Sequence, residues 1–279
     1  MSVADRSAAT TALKQCLILN PAAGSAEQAA LLEGLRQLGS VWLVTAQAPG
    51  DATAAAKQAL REGCTRVIAA GGDGTINEVV NGLAADFAQA ELGVLPLGTG
   101  NDFARSIGMP LEIPAAISTL LAGRTRAVDV VRVTSESCPL KHFINVSAGG
   151  FSAVVDQKME AGSKDFWGSL AYALSAIKAL PEMQSHLLRV ELDGETLEAA
   201  AVNMVVANGR FVAGGIPVAP RASLDDGLLD VLIFRALPLA QLAMSVPRTL
   251  SGQHLETPGD DEVIFRQSRR VTLTADPPL

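Results

Sequence analysis

The chain has little cysteine, no excess of positive charge and no long apolar run, and each absence removes a class of function. Cys16, Cys64 and Cys138 are its three cysteines. They lack the close pairs of a structural zinc site and read as reduced thiols. His142 lies near Cys138, but nothing completes a ligand set. The formal net charge is -7, with acids outnumbering bases on both sides of Val130, which argues against a phosphate-neutralising nucleic-acid surface. The best apolar stretch, Ala236 to Pro247, is short and interrupted by Pro238. It falls below the roughly 20 residues of a membrane-spanning helix. Near the N-terminus, Cys16 to Leu19 is too brief for a signal-peptide core. The expectation is a cytoplasmic protein that reaches any membrane transiently, from its surface.

What is present is the composition of a folded chain: 279 residues, 48% apolar and 18% charged. That length favours two domains over one. Up to about residue 128, strand-like runs at Cys16–Leu19, Val41–Thr45, Val67–Ala70 and Leu92–Leu95 alternate with helical patterns at Ala26–Leu38, Ala52–Arg61 and Ile76–Ala85. The rhythm predicts a wound α/β nucleotide-binding domain over 1–128, with ligand loops at the carboxyl ends of its strands. Then strand-like runs follow one another at Val128–Val133, Phe143–Val146, Leu187–Leu192, Ala200–Ala207 and Leu228–Phe234. With helical patterns at Trp167–Leu180 and Leu239–Leu250, these predict a β-rich, β-sandwich-like second domain over 129–279.

Three loops carry the chemistry. Val67-Ile68-Ala69-Ala70-Gly71-Gly72-Asp73-Gly74-Thr75-Ile76-Asn77-Glu78 runs from a buried strand through glycines into a helix, so backbone N–H groups can approach a phosphate at a helix N-terminus. Asp73 beside phosphates makes sense chiefly with a divalent cation between them. A plain turn, with Asp73 capping a helix, is the alternative. Asn20-Pro21-Ala22-Ala23-Gly24-Ser25 and Pro96-Leu97-Gly98-Thr99-Gly100-Asn101-Asp102 follow other strands of the same sheet, which favours one convergent anion site. Neither a P-loop nor a full dinucleotide fingerprint is present, since Phe103 occupies the third glycine position of the latter.

These loops resemble the signatures of the diacylglycerol kinase catalytic-domain family, especially its soluble bacterial lipid kinases. Gly71-Gly72-Asp73-Gly74-Thr75-Ile76-Asn77-Glu78-Val79-Val80-Asn81-Gly82 and Pro96-Leu97-Gly98-Thr99-Gly100-Asn101-Asp102-Phe103-Ala104-Arg105 carry most of the likeness. Asn208-Gly209-Arg210, Gly214-Gly215 and Ala222-Ser223-Leu224-Asp225-Asp226-Gly227-Leu228-Leu229-Asp230 extend it. The resemblance implies an ATP- and magnesium-dependent kinase acting on the hydroxyl of diacylglycerol or a related lipid at the membrane surface. A homodimer is a further expectation. By the same resemblance, Asn20, Pro21, Ala22, Ala23, Gly24, Thr45, Gly71, Gly72, Asp73, Gly74, Thr75, Ile76, Asn77 and Thr99 contact ATP. Asp73, Asp102 and Asp129 form an acidic network around magnesium. Ser223, Asp226 and Leu228 hold a second, structural magnesium, whose alternative is an ordinary Asp-Gly turn.

The match also departs from the family. Relatives carry a catalytic Glu in Asp-Gly-Glu near the C-terminus, in a segment returning to the nucleotide domain. No such motif follows Glu262 here. Either the sequence is a shortened piece of its protein or the protein lacks the usual base. The one Asp-Gly-Glu, Asp193-Gly194-Glu195, lies between two strand-like runs and reads as a hairpin turn. Ala23 stands where many relatives have Ser, and Ile216 replaces a third glycine. Two rival readings remain, an NAD kinase-like enzyme and a catalytically silent nucleotide- or lipid-binding protein.

Overall fold

The computed structural model describes residues 14–21, 28–135, 139–150, 184–256 and 262–279. The predicted helix at Trp167–Leu180 lies outside them.

The first half is a four-stranded parallel sheet, ordered β2-β1-β3-β4, built from β1 (Gln15–Leu19), β2 (Val41–Thr45), β3 (Arg66–Gly71) and β4 (Glu91–Pro96). The central strands are near-continuous apolar runs because helices cover both faces. On one face α2 (Asp51–Arg61) and α3 (Asp73–Leu83) bury Ala52, Ala56, Ala59, Ile76, Val79 and Val80 against Cys16, Ile18, Val67 and Ala69. On the other, α5 (Ile113–Ala122) packs Ile113, Ala116, Ile117 and Leu120 onto Leu17, Ile68 and Leu95, beside α1 (Gln28–Gln37). A short helix, α4 (Asp102–Ile107), follows β4. Neither α4 nor α5 is among the sequence expectations. The first has six residues and starts inside a glycine loop.

The second half is antiparallel. A short pair, β5 (Val131–Val133) and β6 (Lys141–Phe143), precedes a six-stranded sheet ordered β11-β10-β9-β8-β12, with β7 also paired to β9. Its strands are β7 (Val146–Gly150), β8 (His186–Leu192), β9 (Glu195–Ala207), β10 (Leu229–Arg235), β11 (Val263–Ser268) and β12 (Val271–Asp276). Along β8 burial alternates strictly, and Leu188, Val190 and Leu192 join Val231, Ile233 and Ile264 in one core. Between β10 and β11 lies α6 (Leu239–Leu250). Asp193 and Gly194 make the β8–β9 turn, both with positive φ (43° and 104°), as a two-residue hairpin requires. The run expected as one strand at Phe143–Val146 is broken at Ile144 and Asn145, whose carbonyls accept side-chain and backbone N–H groups from Asn208 and Gly209 rather than a neighbouring strand. Strand β5 likewise starts at Val131 rather than Val128.

Candidate functional site

In the sheet order, β1 lies between β2 and β3, so the chain winds outward in both directions from β1. Open α/β sheets bind ligands at such a switch point, outside the carboxyl ends of the strands. Here Asn20 ends β1. Its backbone N–H donates to Ala70 O at 3.0 Å, and its side chain donates to Thr75 Oγ1 at 3.2 Å. The loops after β3 and β4 touch through bare backbone. A Cβ added to Gly98 would sit 2.5 Å from Gly72 Cα, closer than carbon atoms tolerate. Asn101 holds the second loop in shape, accepting from Gly98 N at 3.0 Å and donating to Gly98 O at 2.6 Å from a left-handed conformation.

Helix α3 begins after an extended Gly72, and no side chain caps it. Its first-turn N–H groups are thus offered to an acceptor from outside the chain. Around this end Thr45, Gly74, Asn77 and Thr99 are exposed, Thr75 and Ile76 are buried, and Pro21 lies exposed after β1. Ala22, Ala23 and Gly24 fall outside the described residues.

Asp73 caps a helix, but across the site rather than its own. Its Oδ1 accepts from Phe103 N at 2.8 Å and its Oδ2 from Asp102 N at 3.1 Å, tying the β3 loop to the start of α4. Asp102 is buried, with 8% of its surface exposed. Its two oxygens accept from Gly215 N at 2.7 Å and Gly214 N at 3.1 Å, so a turn of the second half closes over it. Burial pushes the Asp102 carboxyl above its usual range and the neighbouring Asp73 charge adds to this, while the Gly214 and Gly215 amides and Arg105 oppose it. Two adjacent carboxylates with one held up by burial form a pair that a cation or a proton would stabilise.

The third acid lies elsewhere. Asp129 Oδ2 accepts from Gly227 N at 2.8 Å and its own N–H donates to Leu224 O at 2.6 Å, so it joins the loop before β10. That loop holds Ser223, Asp226 and Leu228. Asp226 Oδ1 accepts from Leu228 N at 3.0 Å, and Ser223 Oγ donates to Asp225 Oδ1 at 2.7 Å. A polar chain joins the two places. Ser106 of α4 bonds Asp102 O and Asn145 Oδ1 and accepts from Arg210 N. Asn145 O accepts from Asn208 N, and Asn208 Nδ2 donates to Asp129 O at 2.9 Å. Ser106 and Asn145 carry no signal a single sequence would disclose.

Among the described residues no three His, Cys, Asp or Glu side chains cluster closely enough to hold a metal by themselves. A cation at either place would need carbonyl oxygens and water, which suits a hard divalent ion. One observation fits this beside Asp226. Asp230 is 2% exposed, its Oδ2 has no partner, and its carboxyl is pushed up by burial first and by the Asp226 charge as well.

The rest of the first signature is structural. Glu78 accepts from Gly50 N and Ala52 N at the start of α2. Asn81 exchanges two hydrogen bonds, both 2.8 Å, with the backbone of His142 in β6.

Two family models match the chain. Residues 14–133 match the family described as diacylglycerol kinase catalytic domain, and residues 145–279 match the YegS C-terminal NAD kinase beta sandwich-like domain. A diacylglycerol kinase of Bacillus subtilis (strain 168) is 36% identical over 225 residues, 80% of this chain and 72% of that protein. One from Staphylococcus carnosus (strain TM300) is 33% identical, over 82% and 72%. In fold, the crystal structure of a diacylglycerol kinase from Bacillus anthracis str. Sterne superposes with a TM-score of 0.72 at 23% identity, covering 95% of this chain and 86% of the other. The chain belongs to the diacylglycerol kinase catalytic-domain family, and with it to the phosphotransferases that use an alcohol acceptor.

Proposed function

We propose that the protein moves the terminal phosphoryl group of ATP, with magnesium, onto the hydroxyl of diacylglycerol or a closely related lipid. The observation that carries this reading is the meeting of three strand-end loops at the switch point of the sheet, where Gly98 comes too close to Gly72 for a side chain on Gly98. Residues 1–128 act as the nucleotide domain and 129–279 as its β-rich partner. Asn20, Pro21, Thr45, the Gly71–Asn77 loop and Thr99 cradle the phosphates. Ala22, Ala23 and Gly24 belong to the same reading by sequence.

Phosphoryl transfer asks a protein mainly for positioning and charge neutralisation. The uncapped start of α3 supplies oriented N–H groups, and the Gly72–Gly98 contact fixes the distance between two of the loops. Asp73 and Asp102 would hold magnesium, with Asp129 attached to them through the Ser106–Asn145–Asn208 chain. Magnesium, when bound, supplies the positive charge that offsets charge developing on the phosphoryl oxygens. Ser223 and Leu228 through their carbonyls, and Asp226 through its carboxylate, would hold a second ion in the loop that bonds Asp129. Asp73, half-buried at the meeting of the loops, is the group assigned to take the acceptor proton.

An acceptor panel tests the reading. With ATP labelled at its terminal phosphate, diacylglycerol in mixed micelles should gain label in a magnesium-dependent manner while NAD gains none. Labelled NAD with unlabelled lipid would overturn it.

A further inference from the structure

We propose that Arg105 is a further catalytic residue, whose guanidinium takes the terminal phosphoryl oxygens of the nucleotide while that group is transferred. The inference rests on the reading that the strand-end loops hold ATP. It adds a cation to a site otherwise built from carboxylates, glycines and backbone amides.

Arg105 lies in the short helix α4, and a helical side chain leans back over the turn before it. Here it reaches the loop that starts the helix, where its Nε donates to Gly100 O at 3.2 Å. Gly100 borders both acids of the site. A Cβ added to it would lie 3.1 Å from Asp73 Oδ2 and 3.2 Å from Asp102 Oδ2. The guanidinium is therefore held beside the acid pair, and its charge reaches the Asp102 carboxyl. From the second half of the molecule, Gly215 covers one flat side of it. A Cβ on Gly215 would stand 3.4 Å from Cζ, 3.4 Å from Nε and 3.5 Å from Nη1. Such near-equal distances put Gly215 over the plane of the group rather than at its edge.

Two contacts thus fix the plane and leave the outer edge. Nη1 and Nη2 bond no acceptor among the described residues, and Arg105 forms no ion pair there. The nearby carboxylates are committed elsewhere. Asp73 accepts from the Asp102 and Phe103 amides, and Asp102 from those of Gly214 and Gly215. Arg105 is half-buried, and a cation withdrawn from water without a counter-ion is costly until an anion arrives. The N–H groups along its free edge match two oxygens of one phosphoryl group.

The placement suits the reaction. In the transfer, the bond from the bridging oxygen of the nucleotide to its terminal phosphorus breaks, and that oxygen keeps the electron pair. A bond from the acceptor hydroxyl oxygen to the same phosphorus forms, while Asp73 takes the hydroxyl proton. Arg105 gains and loses no proton. Its fixed positive charge offsets the negative charge on the phosphoryl oxygens throughout, which is the main service such a reaction asks of a protein.

Titration calorimetry of the full chain, with magnesium and without lipid, tests this by comparing ADP with the imido analogue of ATP. The wild type should bind the analogue more tightly than ADP. Arg105→Met keeps an apolar stem and removes the N–H groups. It should weaken the analogue on the order of 10- to 100-fold, as when a charged hydrogen-bond pair is lost, and leave ADP as in the wild type. Turnover on dispersed short-chain diacylglycerol should fall on the order of 1,000-fold. Arg105→Lys keeps the charge without the planar fork and should recover part of both losses. A bracing role for Arg105 would instead lower the melting temperature and weaken both nucleotides equally, and that result would overturn the proposal. Should Arg105→Met fail to fold, the analogue-to-ADP ratio of Arg105→Lys decides, and a wild-type ratio there sinks the assignment. A wild type that binds neither nucleotide would overturn the ATP reading and this inference together. One that binds both, with the ratio unchanged in the variants, overturns only the role of Arg105.

Discussion

The carboxyl end of the parallel sheet and the β8–β9 turn of the antiparallel sheet both carry Asp next to Gly, and they use the pair for opposite ends. At Asp193-Gly194 the glycine supplies a backbone angle. Its φ is 104°, and a Cβ there would meet nothing within 4 Å. At Gly98 and Gly72 the glycines supply absence, since a Cβ on Gly98 would collide with the neighbouring loop. The aspartates differ in the same way. Asp193 accepts from Arg269 N at 2.7 Å and joins two turns, whereas Asp73 links two loops that face an open helix N-terminus. A glycine selected for its φ makes a turn. One selected for close approach makes a place where backbone dipoles converge on a ligand.

The sharpest way to break this comparison is Asp73→Asn, which puts an amide donor where Asp102 N and Phe103 N already donate. Turnover should fall about 100- to 1,000-fold, as when an oriented electrostatic group is lost. The stability loss should stay within about 1–3 kcal/mol, that of a buried hydrogen-bond partner removed. Kinase rates beside urea melts measure both. Near-normal turnover in a destabilised protein would reduce Asp73 to a cap. Next is Gly98→Ala, for which the close approach to Gly72 sets an overpacking cost of about 1–3 kcal/mol. Shifting the loops should also lower the rate roughly 10- to 100-fold. A rate unchanged from the wild type would mean the two loops need not touch.

The Asp226 loop provides a weaker contrast. In the wild type, magnesium at ten times its dissociation constant should add about 1.4 kcal/mol of stability, and Asp226→Ala should abolish that increment. Melting curves with magnesium and with chelator decide it, and equal increments would leave Asp226 in a simple turn. Without effect on turnover is Gly194→Ala, which imposes φ strain of about 1–2 kcal/mol. Loss of turnover there would erase the distinction between the two Asp-Gly pairs.

The smallest effect concerns a group remote from both. His254 is buried, and desolvation lowers its pKa from 6.5, only partly offset by the hydrogen bond between its Nε2 and Val218 O at 2.8 Å. The unfolded chain therefore takes up a proton that the folded chain resists. This contribution to stability is present above about pH 6.5 and is lost as pH falls below it. Melting temperature from pH 7.5 down to 5.5 should drop less in His254→Gln than in the wild type. Parallel curves would remove His254 from the pH response.

Strand positions in the first half were legible because parallel strands covered on both faces must be apolar throughout. Val67–Ala70 lies within β3 and is buried throughout. Edge strands β11 and β12 escaped notice because Val263–Ser268 and Val271–Asp276 mix polar and apolar residues, and their backbones find partners only once β10 and β8 are in position. The run at Phe143–Val146 misled because periodicity registers apolar side chains and cannot register that Asn145 bonds across the chain to Phe211 O at 2.9 Å.

By itself, then, the sequence determined the alternation of strands and helices, the glycine loops at the strand ends and the Asp193-Gly194 hairpin, because those follow from local periodicity and from glycine's backbone freedom. Tertiary structure alone decided that Asp73 caps α4 rather than α3, that Gly214 and Gly215 close over Asp102, and that Asp129 sits with the Asp226 loop. Each of these is a hydrogen bond between residues 29 to 113 positions apart. No local rule reaches that far, because such a bond forms only after packing has brought its partners together.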